Sequence, residues 1–221
     1  MRAPSTSSSV NDKIDAFFST YPKHSYPKGQ ILIFADEEPP YIFYIKEGLV
    51  RKYDVSYRGD EVVVNLFKPP AFFPMSWAIN RTPNTYFYKT ELASVLHIVP
   101  AEDALAFIKD NPDVMFDLLA RVYRGSEGML GRLVHLMSGT AQSRLIYELI
   151  LETRRFSTAN KDKTFTLSAN ESDLAARTGL SRETVSREIQ KLKDSHAVDV
   201  IAGHVTVTDL QALEQKLGAG I

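Results

Sequence analysis

Between Gln30 and Val99 the apolar positions fall in short runs, separated by turn residues about every ten positions. Gln30 to Phe34 is one run. Tyr41-Ile42-Phe43-Tyr44-Ile45 is a second, broken by Glu47-Gly48 and followed by Leu49-Val50-Arg51-Lys52-Tyr53. Arg58-Gly59-Asp60 separates that from Glu61 to Phe67, and Tyr86 to Tyr88 and Ala93 to Val99 continue the series. This spacing predicts an antiparallel sandwich or barrel. Upstream, Asn11 is placed to cap a short helix with Ile14, Phe17 and Phe18 on one face, and Tyr26-Pro27-Lys28-Gly29 reads as a turn. After Pro100 the period lengthens. Ala101 to Asp110 reads as a helix, and Asn111-Pro112-Asp113 as the start of another, with a cap, a proline at the first position and an acid in the first turn. Met115, Leu119, Val122, Ser126, Met129, Leu133 and Leu136 then step by fours and threes, the seam of a helix reaching Met137. Such a helix is roughly 40 Å long and suits pairing with a second subunit better than a packed core. Ser138-Gly139 ends it, Thr140 to Phe156 is amphipathic, and Thr164 to Leu167 alternates like a small strand.

Composition narrows the function classes. The chain of 221 residues has no cysteine, which removes disulfides, thiolate-held zinc or iron–sulfur clusters and thiol switching. No apolar run reaches the ~18 residues of a membrane span. The Ser/Thr/Pro-rich start, read as a flexible tail over residues 1–10, offers no signal peptide, so a cytoplasmic protein without membrane contact is expected. Net charge is -1, so any nucleic-acid contact depends on local placement of Lys and Arg. There is no Gly-rich phosphate loop, no His-Glu-x-x-His helix and no Gly-x-Ser-x-Gly elbow, and the five histidines lack metal-ligand spacing. No catalytic residue, metal or cofactor is assigned, and the chain is not read as an enzyme.

The C-terminal third carries the strongest motif. Asn170, with Asp173 three positions on, opens one helix in a variant capping box. Thr178-Gly179-Leu180 turns the chain, and Ser181 caps a second helix, the recognition helix 181–194. Val185, Ile189 and Leu192 form its apolar stripe; Arg182, Ser186, Arg187, Gln190, Lys191 and Lys193 lie opposite. Val198 to Val207 then folds as a hairpin about Ala202-Gly203, and Asp209 caps a last helix. A helix-turn-helix with a wing places its second helix in the major groove, where Arg pairs with guanine and Glu with the cytosine amino group. Against this stands a solvated charged face, because Glu183, Glu188 and Asp194 nearly balance the cations.

Leu174-Ala175, then Thr178-Gly179-Leu180-Ser181-Arg182-Glu183-Thr184-Val185-Ser186-Arg187-Glu188-Ile189, resembles the DNA-binding helices of the Crp/Fnr family of bacterial transcription regulators. Lys28-Gly29, Tyr44-Ile45-x-x-Gly48 and Gly59-x-Glu61 fall at the turns of that family's jelly-roll sensor, and Arg144 where the family has an Arg after the hinge. The resemblance implies an α+β chain: a cyclic-nucleotide-binding-like antiparallel β jelly-roll barrel over 11–110, a dimerisation helix over 111–138 and a winged helix-turn-helix over 139–221. It implies a homodimer on a palindromic site in double-stranded DNA, with RNA polymerase as a further partner. Arg182, Glu183 and Arg187 would read bases, with Ser181, Thr184 and Ser186 beside them. The alternative is a sensor for a cyclic nucleotide or other small ligand whose winged helix docks a protein.

The effector pocket departs from the family. Its Gly-Glu pair, which holds the ribose, falls on Pro74-Met75; its Arg-Ser pair, which holds the phosphate, falls on Pro83-Asn84, with Arg81 two residues early. The hydroxyl pair on the long helix falls near Met129-Leu130, with Ser126 a turn away. Control by cAMP is therefore not expected, and the effector is left unassigned. Phe72, Phe73, Met75, Trp77, Tyr86 and Tyr88 are read either as a filled core or as a pocket for an apolar or aromatic ligand, with Trp77, Arg81, Tyr86 and Ser126 as candidates. His97 is read as a satisfied strand histidine. Gly125, Gly128 and Gly131 each weaken the long helix by roughly 1 kcal/mol relative to Ala, a cost that close approach of a partner helix, or a segment that switches, would account for.

Overall fold

The computed structural model describes residues 7–57, 59–157, 159–201 and 203–218. The chain forms two compact units that divide between Val122 and Tyr123. The first opens with helix α1 (Ser7–Phe18) and strands β1 (Lys23–Tyr26), β2 (Ile31–Ile33), β3 (Tyr41–Glu47), β4 (Val50–Val55), β5 (Glu61–Phe67) and β6 (Phe72–Phe73). Helix α2 (Met75–Asn80), strands β7 (Phe87–Thr90) and β8 (Ser94–Pro100) and helix α3 (Ala101–Asp110) follow. Two antiparallel sheets result, ordered β1-β8-β3-β6 and β2-β7-β4-β5.

The unbroken apolar run on β3 has a simple cause. Phe43 and Ile45 enter the core shared by the two sheets, with Ile33, Val50, Phe73, Tyr88 and Leu96. Ile42 and Tyr44 face the other way, into a helical layer holding Ile14 and Phe18 of α1, Trp77 of α2 and Ala104 and Ile108 of α3. Successive strand residues point to opposite faces, so a strand covered on both shows no polar alternation. Gly48, between β3 and β4, sits at φ +102°, where a Cβ would come within 2.7 Å of the Ser94 Cα.

Several sequence expectations shift. The helix start moves back: α1 begins at Ser7, not at Asn11, because Val10 extends the apolar stripe and is buried with Ile14. Asn11 lies within the helix, and its side-chain Oδ1 accepts from the Arg121 guanidinium at 2.9 Å. Residues 1–6 of the expected tail lie outside the described residues, as do Arg58 and Ala202 of two expected turns. Two strands and a helix escape the pattern. β1 (Lys-His-Ser-Tyr) is polar, β6 has two residues, and α2 has six. His97 is buried, with Nδ1 2.8 Å from the Tyr21 carbonyl.

Helix α4 (Pro112–Ser138) spans the residues at which the units divide. Its first part belongs with the barrel: Val114 is buried in the helical layer, and Arg121 donates to the Pro70 carbonyl at 2.7 Å. Its second part belongs with the C-terminal unit, so the division falls inside the segment read as a separate dimerisation helix. That unit comprises α5 (Ala141–Phe156), β9 (Phe165–Thr166), α6 (Glu171–Thr178), α7 (Arg182–Asp194), β10 (Val198–Ile201), β11 (His204–Val207) and α8 (Leu210–Leu217), with a three-stranded sheet β10-β11-β9.

Against α4, α5 lays Tyr147, whose hydroxyl donates to the Gly128 carbonyl at 3.2 Å. A Cβ on Gly131 would strike Tyr147, its Cε2 at 2.9 Å and its hydroxyl closer still. Gly131 therefore answers to a side chain of its own polypeptide. Arg132 forks onto Glu148 at 2.8 and 2.9 Å, and Arg144 donates to the Leu136 carbonyl at 2.9 Å near the end of α4.

Candidate nucleic-acid interface

Both helices of the turn are set by local chemistry. Asn170 caps α6 by accepting from the Asp173 amide at 3.0 Å, while the Asp173 carboxylate accepts from the Asn170 amide at 3.1 Å. Gly179 ends α6 in the left-handed region at φ +67°. Ser181 then caps α7, its hydroxyl accepting from the Thr184 amide at 3.2 Å. Val185, Ile189 and Leu192 are buried with Leu174, with Leu145, Ile146 and Leu149 of α5, and with Val198, Val205 and Val207 of the hairpin. Beneath them Arg177 and Glu152 form a buried ion pair at 2.6 Å, and Ser168 donates to the other carboxylate oxygen at 3.0 Å. Burial pushes the Glu152 carboxyl up, against the pull of Arg177.

This core turns one face of α7 outward. Arg182, Glu183, Ser186, Arg187 and Gln190 are exposed and Thr184 is half-buried. Arg187 donates to the Thr184 hydroxyl at 3.3 Å, which in turn meets the Ser181 hydroxyl at 3.1 Å. The near-neutral charge of the helix is resolved by position. Glu188 accepts from Lys191 at 2.7 Å, Asp194 accepts from Gln190 at 2.9 Å, and Lys193 lies 3.3 Å from Asp199. Arg182 and Arg187 form no ion pair among the described residues. The acids of the second half of α7 are engaged locally, and two guanidiniums remain at its beginning. There the Glu183 carboxyl is held below its ordinary value by its own backbone amide and the Ser181 hydroxyl, so it is an acceptor. Two forked donors and one acceptor on the first turns of an exposed helix match the edges of base pairs in a major groove.

The expected seam residues of α4 are all exposed or half-buried. In the first unit these are Met115, Leu119 and Val122; in the second, Ser126, Met129, Leu133 and Leu136. A second apolar row beside them, Phe116, Tyr123, Leu130 and Met137, is exposed at 60% or more. It recurs every seventh residue, a period legible in the sequence beside the seam.

Of the candidate ligand residues, Trp77, Arg81 and Tyr86 belong to the first unit and Ser126, exposed on α4, to the second; the three of the first unit do not share one core. Trp77 is buried in the helical layer, with the Arg81 guanidinium 5.4 Å from its ring centroid. Tyr86 packs instead on the core between the sheets. Arg81 ends α2 in the left-handed region, at φ +55°. Asn84 is consumed by the backbone: its amide donates to the Phe34 and Tyr86 carbonyls at 3.1 and 2.6 Å.

Comparison with known proteins gives two family models in tandem. A cyclic nucleotide-binding domain matches residues 23–111, and a Crp-like helix-turn-helix domain matches residues 143–216. The chain is 24% identical over 200 residues to the fumarate and nitrate reduction regulatory protein of Escherichia coli K12, covering 89% of this chain and 78% of that one. It is 26% identical over 205 residues to the cyclic AMP receptor protein of Thermus thermophilus, covering 92% of each. Among solved structures, a CRP/FNR-family transcriptional regulator of Thermus thermophilus shares the fold with a TM-score of 0.72 at 20% identity, covering 90% of this chain and 99% of that one.

Proposed function

From the premise that this chain belongs to the Crp/Fnr family of DNA-binding transcription regulators, we propose that it acts as a homodimer on a palindromic site, without control by cAMP. The observation that carries this reading is the pair of exposed guanidiniums, Arg182 and Arg187, on the opening turns of α7, neither held in an ion pair among the described residues. Arg182, Glu183 and Arg187 read base edges, and Ser181, Thr184 and Ser186 contact phosphate or thymine methyl groups nearby. The apolar rows of α4 pair two copies, which sets the two recognition helices about 34 Å apart, one turn of B-form duplex. RNA polymerase is the partner such a regulator addresses.

Independence from cAMP rests on the short helix and the loop after it. Pro74-Met75 supply no carboxylate for a ribose, and Pro83 lacks the amide that a phosphate cradle uses. Thermal-shift titration with cAMP checks this: no stabilisation is expected.

DNA binding is tested by fluorescence anisotropy on a selected operator across a salt series. Affinity should fall steeply with salt, and Arg182→Ala should weaken it by about 1–3 kcal/mol while relaxing base choice at one position of each half-site. Equal loss on every sequence, or no loss, overturns the assignment of Arg182 as a base reader. A second reading, docking of a protein on the winged helix, has no comparable observation in its favour.

A further inference from the structure

The sheet formed by β4, β5 and β7 treats its cations in two ways. Arg51 reaches Glu61 at 2.5 Å and Glu91 at 3.2 Å, and Lys89, its register partner on β7, reaches Glu61 at 2.6 Å. Lys52, one residue further along β4, points to the other face. It stands in register with Asn65 on β5 and Tyr88 on β7, and residues paired directly across strands share a face. Tyr88 is only 2% exposed, inside the core between the sheets and stacked on Phe73 with ring centroids 4.9 Å apart. Lys52 is therefore a cation on the inner face of the barrel.

There its ammonium lies 3.8 Å from the centroid of the Tyr86 ring, and among the described residues no carboxylate or hydrogen-bond acceptor meets it. The hydroxyl of Tyr88, the register partner of Lys52, makes no hydrogen bond among the described residues either. Burial holds the Lys52 ammonium below its ordinary value. A charge kept in a half-dry aromatic setting without a counter-ion is destabilising, and an incoming anion would relieve it. A tyrosine face offsets part of that cost and also supplies a flat apolar wall.

We propose that Lys52 anchors the effector site of the barrel, and that the effector is a small organic carboxylate with a planar apolar body. Lys52 meets the carboxylate, the Tyr88 hydroxyl donates to it, and the Tyr86 ring stacks on the flat body. Arg81 takes no part, since its guanidinium is turned to Trp77 in the helical layer. This rests on the reading of the barrel as an effector domain that does not answer to cAMP.

The test is isothermal titration of the full-length protein with naphthalene-2-carboxylate and with its neutral amide, on wild type and on Lys52→Met. The carboxylate is expected to bind saturably, one per subunit, with the amide and the variant each weaker by about tenfold or more. Absence of carboxylate binding at millimolar concentration overturns the proposal, as does equal binding of the amide or an unchanged affinity in the variant. Should Lys52→Met not fold, the comparison of acid with amide on wild type decides alone. Operator binding of the same preparations without ligand is measured in parallel, so that a failure of DNA recognition is told apart from a failure of this site.

Discussion

Gly131 and Gly125 differ by six positions on one helix and by everything around them. A Cβ at 131 collides with the Tyr147 ring, whereas a Cβ at 125 meets nothing within 4 Å. Gly131→Ala should therefore destabilise the protein by about 1–3 kcal/mol through overpacking, while Gly125→Ala should stabilise it by up to about 1 kcal/mol through helix propensity. Urea unfolding of the two variants checks both signs. Gly128 is intermediate, with Leu151 at an ordinary 3.5 Å, and is where a change in DNA affinity can be sought without a clash. The sequence exposed these glycines as anomalies in a helix but could not give their cause, which at Gly131 is a tyrosine on the next helix. Caps behaved differently. Asn170, Asp173, Gly179 and Ser181 were legible because capping depends on neighbours three positions apart and on little else.

Helix α1 is held to the barrel partly by one carboxylate. Asp15 accepts from Lys46 at 2.7 Å on both oxygens and from the Tyr44 hydroxyl at 2.8 Å. The Lys46 hydrogen bond leads in lowering the Asp15 pKa below its ordinary value, and partial burial opposes it. A carboxyl lowered on folding contributes stability above its unfolded pKa and loses that contribution as pH falls through its folded pKa. Asp15→Asn should thus lower the melting temperature at neutral pH, and the gap to wild type should narrow by about pH 3, as calorimetry at the two pH values would record. At this scale the long helix, the recognition helix and most strands were legible from period alone. β1 and β6 were not: one is polar and the other two residues long, so their hydrogen-bonded neighbours define them. The ion pairs Arg132–Glu148, half-buried, and Arg177–Glu152, buried, were invisible for a related reason. Burial of a charge is decided by its partner, and neither partner stands at a helical spacing from the other.

For the molecule as a whole, the proposed assembly requires two chains. Leu133 is half exposed on α4, and a glutamate there would bury an uncompensated charge in a paired helix. Leu133→Glu should shift sedimentation equilibrium from dimer to monomer and abolish tight binding to the full palindrome while leaving weak half-site binding. A dimer that persists unchanged refutes pairing through this face. The overall architecture was the most legible feature, since two apolar periods and one capped turn mark the barrel, the helix and the reading domain. Less legible was the aromatic stretch around α2 and β7, because closeness along the chain does not tell which core a side chain enters. Trp77 and Tyr86 are near neighbours in sequence yet belong to different cores. The side chain of Asn84 bears on retrofitting the barrel with a nucleotide sensor. It ties the segment after α2 to Phe34 and Tyr86, so it works as a strut rather than as a vacant socket. Grafting an arginine and a serine onto positions 83 and 84 would remove that brace before it created a grip, and only exchange of the entire connection would serve.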